Sequence, residues 1–218
     1  MNSRKVVGLF FKTLILGGLV GLVTSFFVKA SDYKQVLSPF DGMELFGLII
    51  FFIGLGFVFS VVSQTGFFAY LFINRFGLSL FRTFWPTVQV LVIAFVVFDL
   101  IYFPYKGSDG DTHLFWFILM SLAILGYGWI VAKIKAKETH QRAFIPALFF
   151  MVVMTAIEWV PGLRASGTDY AWLMITTLLA CNTYQLLILH RLTGSNPKKT
   201  ESQSTPKSLN STKQVKKV

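Results

Sequence analysis

Residues 44–103 read ELFGLIIFFIGLGFVFSVVSQTGFFAYLFINRFGLSLFRTFWPTVQVLVIAFVVFDLIYF. Two long apolar runs, Leu45–Val62 and Thr87–Phe103, flank a shorter one, Phe67–Ile73. With their borders, the long runs meet the roughly 20 apolar residues that cross a bilayer core; the short one does not. The polar break Ser63-Gln64-Thr65-Gly66 separates the first run from the short one. Arg75, Ser79 and Arg82 then fall on one helical face amid Phe, Leu, Tyr and Ile. That pattern predicts a bend at Ser63–Gly66 and an interfacial helix over Phe67–Trp85. The alternative is a second helix that runs unbroken to about Phe76. Arginines between the two spans put this joint on the cytoplasmic side.

Composition points the same way. Only 14% of the 218 residues are charged and mean hydropathy is +0.63, whereas a soluble domain is about a quarter charged. The net charge of +10 sits in loops and tail beside apolar runs, so anionic lipid is the expected partner and nucleic acid is not. Cys181, the one cysteine, lies in an apolar run and reads as a small buried hydrophobe.

In chain order, six apolar segments emerge: Val6–Val28, Glu44–Val62, Phe84–Phe103, Leu114–Ala132, Ala143–Val160 and Ala171–Leu189. The expectation is an all-α polytopic membrane protein with six transmembrane helices. Residues 1–192 form the membrane domain and 193–218 a disordered basic tail. In the first segment Gly17, Gly21 and Ser25 recur every fourth residue, a smooth face suited to close helix packing. That segment also has a signal-peptide reading, because Val28-Lys29-Ala30 resembles a cleavage site. Its length and the early Lys12 favour a retained span. Lys29–Met43 reads as a loop of mixed charge.

Charge sets the orientation. With the N-terminus inside, Arg4, Lys5, Lys12, Arg75, Arg82, Lys133, Lys135, Lys137, Arg142, Arg191 and the tail lysines are cytoplasmic. Only Lys29, Lys34, Lys106 and Arg164 lie outside. The expected location is therefore the cell membrane, multi-pass, with both termini cytoplasmic.

Zinc-binding and nucleophile-elbow motifs are absent, so the reading is a non-enzyme with no metal or cofactor. His113, His140 and His190 fall at span boundaries. The candidate functional residues are polar groups in or near spans: Gln64, Gly66, Arg75, Arg82, Asp99 and Glu158. Asp99 and Glu158, at the outer ends of the third and fifth spans, are costly in hydrocarbon. Lys106 and Arg164 are their candidate partners, and the alternative is that both acids are solvated at headgroup depth. Asn182 and Gln185 share one face of the last span, and with Gln64 and Gln89 they suit interhelical hydrogen bonds.

The order Ser63-Gln64-x-Gly66-Phe67-Phe68-Ala69-Tyr70-Leu71, then Asn74-Arg75-Phe76-Gly77-Leu78, Leu80-Phe81-Arg82, Trp85 and Gln89, resembles the KinB-signalling pathway activation proteins of spore-forming Bacilli. The likeness covers about residues 1–190. It implies a regulatory membrane protein that activates a membrane sensor histidine kinase feeding the sporulation phosphorelay, and it carries no catalytic residues. The competing expectation is a small transporter or channel built on the helix break and the polar residues of spans two, three, five and six. An intramembrane enzyme ranks last.

Overall fold

Asp41 starts the longest helix in the chain. Its carboxylate accepts hydrogen bonds from the backbone N–H groups of Met43 (2.9 Å) and Glu44 (3.2 Å), a side-chain N-cap. From there α3 runs from Gly42 to Phe81 without interruption, about 60 Å at 1.5 Å per residue and twice the thickness of a bilayer core. The computed structural model describes residues 3–38, 40–107, 114–164 and 168–193, and none of them forms a strand. Before α3 come α1 (Ser3–Val28) and the short α2 (Ala30–Leu37). After it come α4 (Trp85–Gly107), α5 (Leu114–Glu138), α6 (Phe144–Phe149), a π turn (Phe150–Met154), α7 (Thr155–Arg164) and α8 (Thr168–Thr193). Several of these helices are long and apolar enough to span a membrane; one such stretch, Gly42–Lys106, contains both α3 and α4.

Two expectations need correction. No interfacial helix follows the second apolar run, because Ser63–Gly66 is the interior of α3. The polar side chains there do not break the helix because each has a partner. Thr65 Oγ1 bonds back to Val61 O at 2.9 Å, and Ser63 and Gln64 bond to other side chains. The chain turns only after Phe81, at a 3₁₀ turn spanning Arg82–Phe84. The segment Lys29–Met43, read as a loop, holds α2, whose Tyr33 and Val36 are buried. Tyr33 Oη shares a 2.8 Å hydrogen bond with Ser25 Oγ, which ties α2 back onto α1. The tail from residue 194, Asp109, Asp111 and His113 lie outside the described residues.

The smooth face of α1 does what its spacing predicts. α1 packs on α3 and α8, and α3 also packs on α8. A Cβ on Gly17 would lie 2.5 Å from Ser60 Cβ, and one on Gly21 would lie 2.8 Å from Gly56 Cα. Gly56 in turn abuts the Gly17 carbonyl. Backbone meets backbone here, so dispersion contacts accumulate over the length of both helices.

α6, the π turn and α7 make one apolar crossing whose middle is the most enclosed part of the molecule. Phe150, Met151 and Val152 are fully buried, and the π turn touches α3, α4, α5 and α8. Pro146 sits in the first turn of α6, where no intrahelical donor is needed. The wider turn shifts the facing of everything after it by one residue, about 100° of helix rotation, and π turns of this kind cluster at functional positions.

At one end of the bundle Lys29 Nζ meets Asp169 Oδ2 at 2.9 Å and lies 5.3 Å from the Tyr170 ring centre. The hydrogen bond to Asp169 raises the Lys29 pKa above its ordinary 10.5. A raised lysine pKa contributes stability below the ordinary value and loses it as pH climbs through the folded one. Lys29→Gln should therefore lower the unfolding midpoint in detergent at neutral pH, and the gap from wild type should close well above pH 10.5. A gap that persists there would show that packing, not charge, is at work. Gly56→Leu should lower stability by about 1–3 kcal/mol by prising α1 from α3. Gly54→Leu, whose Cβ meets nothing within 4 Å, should not. Equal effects of the two would refute the close-packing account.

Candidate functional site

Helices α3, α7 and α8 enclose a polar cluster between two apolar layers. Its centre is Asn182 on α8, fully buried. Asn182 Oδ1 accepts from Ser63 Oγ at 2.6 Å, and Asn182 Nδ2 donates to Glu158 Oε2 at 2.8 Å and Thr155 Oγ1 at 2.9 Å. Ser63 Oγ also accepts from Gln185 Nε2 at 2.7 Å. One turn along, Gln64 Nε2 donates to Ser60 Oγ at 3.2 Å, and Ser60 Oγ donates to the Thr13 carbonyl at 2.8 Å. Ser63 thus links α3 to α8 and, through Asn182, to α7, while Ser60 separately links α3 to α1.

Spacing explains why these residues meet. Ser60, Ser63 and Gln64 stand three and four apart on α3, as do Asn182 and Gln185 on α8 and Thr155 and Glu158 on α7, so each set shares a face. Gly66 completes the arrangement. A Cβ at that position would collide with Glu158 Oε1, so a larger residue there would require the carboxyl group to move away from α3. Its helical cost, about 1 kcal/mol relative to Ala, is the local penalty for that fit.

Glu158 is 6% exposed, so its carboxyl group is shielded from solvent by the surrounding helices. One oxygen is satisfied by Asn182. The other, Oε1, is buried with no hydrogen-bond partner among the described residues. An unsatisfied buried acceptor costs about 1–3 kcal/mol and calls for an explanation. The side chain of Arg164, its expected partner, lies outside the described residues. Asp99 on α4 is half-buried and forms no ion pair among the described residues, while Lys106 lies 5.8 Å from the Tyr102 ring centre.

Arg75 and Arg82 belong to a second cluster at the α3–α4 turn. Asn74 Oδ1 accepts from Trp85 Nε1 at 2.9 Å and from Gln89 Nε2 at 3.4 Å. The Trp85 indole lies against Gly77, where any Cβ would strike it, and stacks on Phe81 with ring centres 5.9 Å apart. These contacts close the turn tightly enough to hold Arg82 at φ 46°, the one non-glycine with positive φ among the described residues. Both arginine side chains point outward, exposed. Gln89 is fully buried, and its Oε1 has no partner among the described residues.

Ser63, Asn182, Gln185 and Thr155 complete the first cluster around two of the sequence candidates, Gly66 and Glu158. Gln64 belongs to the separate Ser60–Thr13 link, and Arg75, Arg82 and Asp99 lie elsewhere. Asn74 was missed, as was Lys135. The latter reads as a solvated loop lysine but is buried on α5 and donates to the Leu186 carbonyl at 2.7 Å. No group of three His, Cys, Asp or Glu converges among the described residues. Asn182→Leu should strip Ser63, Thr155 and Glu158 of their partner and lower stability by about 2–3 kcal/mol in detergent. An unchanged unfolding midpoint would refute the bridging role.

No solved structure matches the chain. A curated protein of Bacillus subtilis (strain 168), described as a KinB-signaling pathway activation protein, is 39% identical over 193 residues, covering 87% of this chain and 97% of that protein. Residues 17–192 match the family described as KinB-signalling pathway activation in sporulation. That span takes in the glycine contact of α1, both polar clusters and all of α8 but its last residue, and the chain belongs to this family.

Proposed function

We propose that this chain is a multi-pass regulator in the cell membrane that activates a membrane sensor histidine kinase of the KinB type, and through it the sporulation phosphorelay. The observation that carries the reading is the relatedness over nearly the full length of both proteins. It is a regulator rather than an enzyme, a reading supported by the description of its family as KinB-signalling pathway activation. The chain crosses six times, through α1, α3, α4, α5, the α6–α7 crossing and α8, with both termini in the cytoplasm. Helix lengths support the count, and the Lys and Arg bias supports the direction.

In that orientation the end of α3 and the α3–α4 turn lie at the cytoplasmic face. Arg75 and Arg82 there, with exposed Lys133, Lys137 and Arg142 around the α5–α6 connection, form a basic surface for the kinase and for anionic headgroups. Deleting the gene in a strain where the membrane kinase is the one active phosphorelay input should abolish sporulation, while strains with other inputs should be spared. Sporulation unaffected in both would overturn the reading. Arg75→Glu combined with Arg82→Glu should cut kinase-dependent sporulation at least tenfold with the membrane level of the protein unchanged. Wild-type sporulation in that variant would remove the basic surface from the contact.

A further inference from the structure

A groove of about 340 Å³ opens on the outer side of the bundle between α3 and α7, lined by Val61, Val62, Thr65, Gly66, Ala69, Met154, Ile157 and Glu158. Its rim is exposed: Ile157 is 57% and Val61 44% exposed, and Thr65 and Ala69 also face outward. Its floor is Glu158, whose Oε1 has no partner among the described residues, set against Gly66. We infer that this groove receives one transmembrane helix of the partner kinase, which places a hydrogen-bond-donating side chain on Glu158 Oε1.

Three observations select a transmembrane helix as the occupant, and the proposed function makes it the kinase's. The first is the unpaired acceptor. An acyl chain could fill the groove, but it has no donor, so lipid leaves the oxygen as it is. The second is depth. Glu158 stands six residues, about 9 Å, before the last residue of α7, and its carboxyl group reaches Asn182, about 21 Å from one end of α8 and about 17 Å from the other. Free amphiphiles carry their polar heads at the interface, whereas a transmembrane helix satisfies its own backbone and can hold a Ser, Thr, Asn, Gln or Lys donor at that level. The third is the rim. Thr65 and Ala69 stand four apart and Gly66 lies beside them, so a second helix can approach the α3 backbone closely. The donor would relieve the buried acceptor, which gives the contact a specificity that apolar packing against lipid lacks.

The inference rests on the proposed function, and photo-cross-linking separates the two. The full chain and the full-length kinase are co-expressed in membranes, with a photo-reactive residue in place of Thr65, Ala69, the cytoplasmic Arg75 or the exposed Leu91 of α4. Capture of a kinase transmembrane segment from positions 65 and 69, but not 91, is the expected result. Capture from 75 alone would leave the kinase reading standing and overturn the groove. Capture from no position would overturn both. Capture of lipid, or of a second copy of this chain, from 65 and 69 would overturn the groove as a kinase site. In parallel, Ala69→Leu fills the groove from an exposed position. It should lower kinase-dependent sporulation at least tenfold with an unchanged unfolding midpoint, and unchanged sporulation would overturn the inference.

Discussion

A carboxyl group held inside an apolar bundle by a single amide constrains everything around it. Glu158 needs a donor, and Asn182 supplies it. Asn182 then needs an acceptor for its second N–H and a donor for its carbonyl, and Thr155 and Ser63 supply those. The requirement spreads outward. Ser63 must face α8, so α3 must be straight at the segment where its sequence is most polar. Gly66 lets the carboxyl group rest in the space a Cβ would take, so a side chain there would displace it. The π turn sets the facing of Thr155 and Glu158 so that both reach α8 from one helical turn. Individual interhelical bonds in membranes contribute only about 0.6–2 kcal/mol. The network is therefore less a reservoir of stability than a device fixing the register of α1, α3, α7 and α8 relative to one another.

The α3–α4 turn solves a different problem with similar means. Two apolar helices must reverse direction with few residues between them. Asn74 is the anchor, accepting from two side chains of α4, and Gly77 lets the Trp85 indole lie on the α3 backbone. The strain at Arg82, about 1–3 kcal/mol for such a backbone, persists because these contacts leave the chain no relaxed alternative. The result is a rigid display of an arginine at the tip of a long helix.

How much of this was legible in the sequence differed by element. The apolar helices were, because their length and composition leave few alternatives. The packing face of α1 was too, because small residues at every fourth position leave a smooth stripe, but that α3 lies against it needed the fold. Continuity through Ser63–Gly66 was not. Polar residues and a glycine in a row look like a break when their partners are unknown: Thr65 and Gln64 bond within α3, but the partners of Ser63 lie more than a hundred residues away on α8, and Gly66 meets Glu158 of α7. Glu158 was seen as a costly acid, but its environment depended on a π turn that apolar Phe150–Met154 does not announce. Lys135 was misread for the opposite reason: a lysine among lysines looks solvated, and only the α8 carbonyl it reaches explains its burial. The hydrogen-bonding residues were visible as types at helical spacing, and pairing them needed the fold.

The uninterrupted α3 has a mechanical consequence. Gly66, against Glu158, and Arg82, at the tip, are sixteen residues apart on the sequence, about 24 Å of helix and turn. A helix broken at Ser63–Gly66 would let the inner cluster and the tip move independently. A continuous one does not, because its backbone hydrogen bonds make the segment between them a rod. Whatever tilts or shifts α3 at the groove must carry Asn74 with it, and Asn74 carries Trp85 and the start of α4. A contact made within the apolar layer and a surface displayed beyond it are thus parts of one rigid element, and the polar cluster sets where that element stands.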